Sequence, residues 1–89
     1  MRLKKEYILR EMGQTRVLIN EGEQIRLTRV LPVNETAAFL WRTAEDRDFT
    51  EEWLAGRLME EYGIDAATAA DGAREMVASW KEHNLLEGE

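Results

Sequence analysis

The chain has 89 residues, 44% of them hydrophobic and 34% charged, with a formal net charge of −6 at pH 7. This length fits one domain, which we expect to span residues 1–89. The absence of cysteine excludes a disulfide framework, thiolate chemistry and a cysteine-held metal or iron–sulfur site. No apolar run reaches the roughly 20 residues of a membrane span, and the basic first ten residues lack the long apolar core of a signal peptide. We therefore predict a cytoplasmic protein.

The charge is distributed unevenly along the chain. Basic residues are concentrated before residue 30, whereas acidic residues predominate after residue 34. A nucleic-acid-binding domain usually carries a basic patch that neutralises phosphates. The acidic second half argues against such a partner, while the basic first half would tolerate an acidic one.

The first third of the chain predicts three short strands. Residues 6–12 alternate apolar and polar positions, residues 16–20 contain an apolar run, and residues 25–30 form a third candidate. Gly13-Gln14 and the polar residues 20–23 are turn signals between them. Two connections this short favour an antiparallel sheet.

The rest of the chain predicts three helices, over residues 35–44, 50–62 and 65–83. Asn34 and Thr50 are suitable N-caps, and Gly63 and Asn84 are suitable ends. The apolar positions recur at helical spacing. They are Ala37, Leu40, Trp41 and Ala44 in the first helix, Leu54, Leu58 and Tyr62 in the second, and Ala66, Ala69, Ala73, Met76 and Trp80 in the third.

No motif indicates catalysis. There is no glycine-rich phosphate loop, nucleophile elbow or acid–base pair, and the only histidine, His83, lies where it can cap the last helix. The three tryptophans are expected to fill the core of a small domain rather than to hold a cofactor. We predict no enzyme activity, no metal and no cofactor.

The third helix has two contrasting flanks beside its core stripe. One carries Ala70, Arg74, Val77 and Lys81, and the other carries Gly72, Glu75, Ser79 and Glu82. On one interpretation Arg74 and Lys81 are simply solvated, with Asp71 pairing Arg74. On the other, Ala70 and Val77 form the floor of a shallow groove, and the two cations hold a partner's carboxylate.

The third strand offers a second binding element. An edge strand has unpaired N–H and C=O groups, to which an extended peptide can add itself as a further strand. Arg26 and Arg29 could protect this edge against aggregation or contact an acidic peptide.

Three motifs in this order resemble the PqqD-like family. The first is Val33, Asn34, Glu35, Thr36, Ala37, Phe39, Leu40 and Trp41; the second is Thr50-Glu51-Glu52 with Leu54, Leu58 and Tyr62; the third runs from Trp80 to Leu86. Members of this family are small peptide-binding domains, first known from pyrroloquinoline quinone biosynthesis. Pro32 departs from the pattern, because such proteins usually continue the strand there.

The resemblance implies an α+β fold, with an N-terminal three-stranded antiparallel sheet followed by three helices in a winged-helix-like arrangement. It also implies a non-catalytic domain that binds the leader of a ribosomally made precursor peptide. The partner enzyme would be a radical S-adenosylmethionine protein, a peptidase or a cyclase, and the domain itself a monomer or homodimer. The resemblance implies that the leader pairs with the third strand and leans on the third helix. The candidate peptide-binding residues are then Ile25, Arg26, Leu27, Thr28, Arg29, Val30 and Leu31 of the strand, with Ala70, Arg74, Val77 and Lys81 of the helix flank described above.

Two alternative functions remain open from the sequence. A winged-helix transcriptional regulator would need a third helix richer in basic residues. A structural module could instead dimerise through its edge strands.

Overall fold

The computed structural model describes residues 1–20 and 30–87. Its elements are β1 (Tyr7–Met12), β2 (Thr15–Asn20), β3 (Val30–Val33), α1 (Glu35–Ala44), α2 (Glu51–Tyr62) and α3 (Ala66–Glu82). The predicted α+β class is confirmed, as is the order of an antiparallel sheet followed by three helices.

The sheet has the strand order β1–β2–β3. A tight turn at Gly13, whose φ of 66° lies in the left-handed region, joins β1 to β2. These strands pair antiparallel, and β2 pairs antiparallel with β3 through Arg16 opposite Val33 and Ile19 opposite Val30. Among the described strands, β3 therefore has a neighbour on one side only.

The third strand does not end where the sequence predicted. It continues through Pro32, which lies opposite Val17, and stops at Val33, directly before the cap of α1. Proline is tolerated here because an edge strand needs ladder hydrogen bonds on one side only. The predicted strand at residues 25–29 lies outside the described residues.

Local hydrogen bonds fix where each helix begins. Asn34, Thr50 and Asp65 are the N-caps, and each side chain accepts the backbone N–H three residues further on, at 2.7, 3.0 and 2.8 Å. Gly63 ends α2 in the left-handed conformation. The predicted helix starts, and the predicted end of α2, are confirmed.

The core lies between the sheet and the helices. Its largest fully buried side chains are Leu40, Trp41, Leu54, Val77 and Leu86. Trp80 is buried as predicted, whereas Tyr62 is 43% exposed, which corrects its assignment to the core stripe of α2. The ring of Tyr62 instead packs edge to face on Phe39, with the ring centroids 5.8 Å apart.

The N-terminal residues form backbone hydrogen bonds with the last described residues. Leu3 forms a bridge with Leu86, and the Lys4 N–H donates to the Leu85 carbonyl at 2.9 Å. This contact closes the core beneath the C-terminal end of α3. In the described parts of the chain, none of the helices combines the length and the apolar character needed to cross a bilayer.

Candidate functional site

A cleft of about 270 Å³ opens between the end of β3 and the C-terminal half of α3. Six of its nine lining residues are apolar and three are polar. They are Leu18, Val33, Ala37, Met76, Trp80 and Leu85, with Asn34, Ser79 and His83.

The cleft is a direct consequence of local structure. Val33 is the last residue of β3, and because the cap follows at once, Ala37 lies in the first turn of α1 beside it. Met76, Ser79, Trp80 and His83 are spaced by three and four residues, which places them on one face of α3. The strand end and this helix face form the two walls.

The polar residues lie close to ends of helices. The His83 backbone N–H donates to the Ser79 carbonyl at 3.0 Å, and its Nδ1 is 2.9 Å from the same oxygen. His83 is the C-cap of α3, so its predicted capping role is confirmed. Asn34 uses its side-chain oxygen to cap α1, so two polar residues of the cleft are also structural.

The helix residues predicted for peptide binding lie outside this cleft. Ala70 lines a different depression, between α2 and α3. Arg74 is exposed and pairs with Asp71 at 2.7 Å, and Lys81 is exposed. At about 100° per residue, these two cations lie across the helix from the face that lines the cleft.

Val77 requires a correction. It is 1% exposed and belongs to the core, so its side chain is not available to a partner as the groove hypothesis required. The core stripe of α3 is rotated toward Val77, since Met76 is only partly buried. The flank that contains Ser79 therefore faces the strand.

The strand residues predicted for peptide binding are only partly visible. Val30 and Leu31 are in β3 and pair with Ile19 and Leu18 of β2. The other five predicted strand residues, at positions 25–29, lie outside the described residues.

Sequence reasoning did not select the cleft residues. Met76 and Ala37 were assigned to core stripes, Ser79 to the flank opposite the predicted groove, and Val33 to a family motif. The sequence did contain one pattern that could have identified the cleft: helical spacing places Ser79 and His83 on the same face as Met76 and Trp80. Two polar side chains there indicate a face that is not fully covered.

The cleft does not contain the carboxylates that have displaced pKa values. Partial burial and then the charge of Asp46 raise the pKa of Glu45, which follows α1. Hydrogen bonds from the side chain and then the backbone of Thr68 lower the pKa of Asp65, the N-cap of α3. Across residues 1–20 and 30–87, no group of three or more histidines and carboxylates could hold a metal ion.

Together the fold and the cleft define a small α+β domain in which β3, an edge strand among the described strands, ends beside an apolar cleft. The family described as "Coenzyme PQQ synthesis protein D (PqqD)" matches residues 15–86. The chain belongs to this family, which confirms the resemblance inferred from the three motifs.

A solved structure that shares the fold supports this assignment to the α+β class. It is described as "TbiB1 in Complex with the TbiA(beta) Leader Peptide" and aligns with a TM-score of 0.72 at 19% sequence identity. The alignment covers 100% of this chain and 98% of that one. No curated protein matches the chain.

Proposed function

We propose that this chain is a non-catalytic recognition domain that binds the leader of a precursor peptide and presents it to a modifying enzyme. The observation that carries the proposal is the cleft itself. Val33, at the end of an edge strand, and Met76 and Trp80, on the last helix, line the same apolar depression. A peptide added beside β3 would extend along this depression.

Strand addition divides recognition into two parts. Backbone hydrogen bonds to β3 supply affinity for any extended peptide, and side-chain pockets supply selectivity. Since most of the cleft lining is apolar and Met76 is only partly buried, we expect the peptide to place a large apolar side chain over Met76. Asn34, Ser79 and His83 would orient the neighbouring peptide groups.

Family membership and the shared fold both support this proposal. The TbiB1 structure is of a complex with a leader peptide, and we extend that kind of ligand to this chain. The proposal keeps the three-stranded, winged-helix-like arrangement predicted from the sequence. It also keeps a radical S-adenosylmethionine protein, a peptidase or a cyclase as the candidate enzyme, and either a monomer or a homodimer.

A ¹⁵N-NMR titration with the leader of the precursor peptide encoded beside this chain tests the proposal. We expect saturable shifts at residues 30–33 and at Met76, Ser79, Trp80 and His83. Saturable shifts confined to Ala70, Arg74 and Lys81 would keep peptide recognition but move it to the flank predicted from the sequence. An unchanged spectrum at millimolar peptide would contradict recognition of that peptide. Duplex DNA serves as the control ligand and should cause no shifts.

A further inference from the structure

Gly56 lies in the middle of α2, where a glycine weakens the helix relative to alanine. A methyl group at its Cα would meet no atom within 4 Å. By contrast, a methyl group at Gly72 would touch Leu58 at 3.4 Å. That distance is an ordinary van der Waals contact, and at Gly56 there is not even such a neighbour, so packing within the described structure gives no reason for a glycine at position 56.

Gly56 lines a depression of about 440 Å³ between α2 and the end of α1. The other lining residues are Thr43, Arg47, Trp53, Arg57 and Glu60. The Arg47 guanidinium lies 4.2 Å from the centre of the Trp53 ring, and the Arg57 guanidinium lies 5.9 Å from that of Phe39. Aromatic rings thus support two arginines at one surface, where they keep their charge and can still donate hydrogen bonds.

The charge at this surface contrasts with the rest of the helical half. Five basic residues follow Asn34 in the sequence, against many more acidic ones, and two of the five lie here. Arg57 also pairs with Glu60 at 2.5 Å. Arginine and tryptophan are the residue types that most often dominate protein–protein binding energy. The surface is suited to a partner that brings carboxylates and can approach the α2 backbone closely.

This surface shares no lining residue with the cleft between β3 and α3. A leader peptide in the cleft would leave it accessible, so a second partner could bind at the same time. For a domain that presents a peptide, that second partner is the modifying enzyme.

We propose that the outer α2 face, defined as Trp53, Gly56 and Arg57 with Arg47 from the preceding connection, docks an acidic segment of the modifying enzyme. The inference rests on the proposed function and names the second partner of that function. Gly56 lets the segment approach the helix backbone, and the two arginines pair with its carboxylates.

The test measures two affinities, for the leader peptide and for the modifying enzyme encoded beside this chain. Gly56→Ala should raise the melting temperature and yet weaken enzyme binding at least tenfold. The double variant Arg47→Gln with Arg57→Gln should weaken enzyme binding at least tenfold and flatten its dependence on salt. Glu60→Gln should tighten enzyme binding or leave it unchanged. Lys5→Gln with Lys81→Gln, which removes two exposed positive charges elsewhere, is the control for the double arginine variant.

Leader affinity should stay within twofold of wild type in all four variants. Unaltered enzyme affinity in both Gly56→Ala and the double variant would overturn the inference, as would failure of the wild-type domain to bind the enzyme. A loss of leader affinity equal to the loss of enzyme affinity in Gly56→Ala and the double variant would also overturn the inference, because the two surfaces would then not be separate. Self-association through this face, seen by sedimentation and lost in the double variant, would assign it to a second copy instead. Failure of the wild-type domain to bind leader while it still binds the enzyme would contradict the proposed function alone.

Discussion

The indole rings of Trp41 on α1 and Trp80 on α3 meet edge to face, with their centroids 5.8 Å apart and an interplanar angle of 87°. Phe49 packs on Trp80 in the same manner at 5.7 Å. Trp80 also lines the cleft, so one wall of the candidate site packs directly on the buried rings of Trp41 and Phe49. One side chain therefore belongs both to the core and to the lining of the candidate site.

A double-mutant cycle with Trp41→Leu and Trp80→Leu should measure this coupling. We expect an interaction free energy of about 0.5–1.5 kcal/mol between the two rings, in addition to the cost of each single substitution. Urea unfolding of the four proteins gives the value. Pairing Trp80→Leu with Tyr62→Ala, which changes an exposed ring outside this cluster, should give a coupling near zero. A near-zero value for the tryptophan pair as well would mean that the rings contribute only through buried area.

Met76→Gln tests which face of α3 binds the peptide. It places a polar amide in the apolar cleft at nearly constant length, and we expect the leader affinity to fall about tenfold, equivalent to about 1.4 kcal/mol. Arg74→Gln with Lys81→Gln changes the face predicted from the sequence and should alter affinity less than twofold. Isothermal titration calorimetry distinguishes the two. The reverse ranking would restore the basic flank as the binding site.

Asn34→Ala tests the N-cap of α1, which directly follows β3. Removing the acceptor for the Ala37 N–H should cost about 1 kcal/mol of unfolding free energy. For a domain of this size, that corresponds to a melting temperature lower by about 4–8 °C. Asn34→Asp keeps an acceptor and should melt close to wild type. A melting temperature in the alanine variant equal to wild type would show that the cap bond is dispensable.

We predict that Asp65 makes the stability of the domain depend on pH in the acidic range. Hydrogen bonds from Thr68, first from its side chain and then from its backbone, hold the pKa of this carboxylate below its usual value. The stabilisation is therefore complete above the unfolded-state pKa of about 4, and it is lost as the pH falls through the lower folded-state pKa.

Asp65→Asn provides the comparison, because asparagine also caps helices but does not titrate. Thermal unfolding of both proteins from pH 6 downward should show wild type losing stability relative to the variant only below about pH 4. Parallel curves over the whole range would contradict a role for Asp65 ionisation.

The sequence by itself determined the local features of this protein. A cap is a hydrogen bond across three residues, so Asn34, Thr50 and Asp65 fix the helix starts regardless of the rest of the fold. The left-handed residue Gly63 does the same for the end of α2. Periodicity also identified Trp41 and Trp80 as buried, because apolar spacing alone places them on inward faces. Trp53, which was also expected in the core, is only partly buried.

Only the tertiary structure decided which side of α3 faces the strand. The helix repeat places Ser79 and Lys81 on different flanks, but both flanks border the core stripe, and residue spacing does not reveal what packs beside each. That depends on where β3 and the first two helices lie relative to α3, a matter of contacts between residues far apart in the chain. The burial of Val77, the partial exposure of Met76 and the course of β3 through Pro32 all follow from that packing.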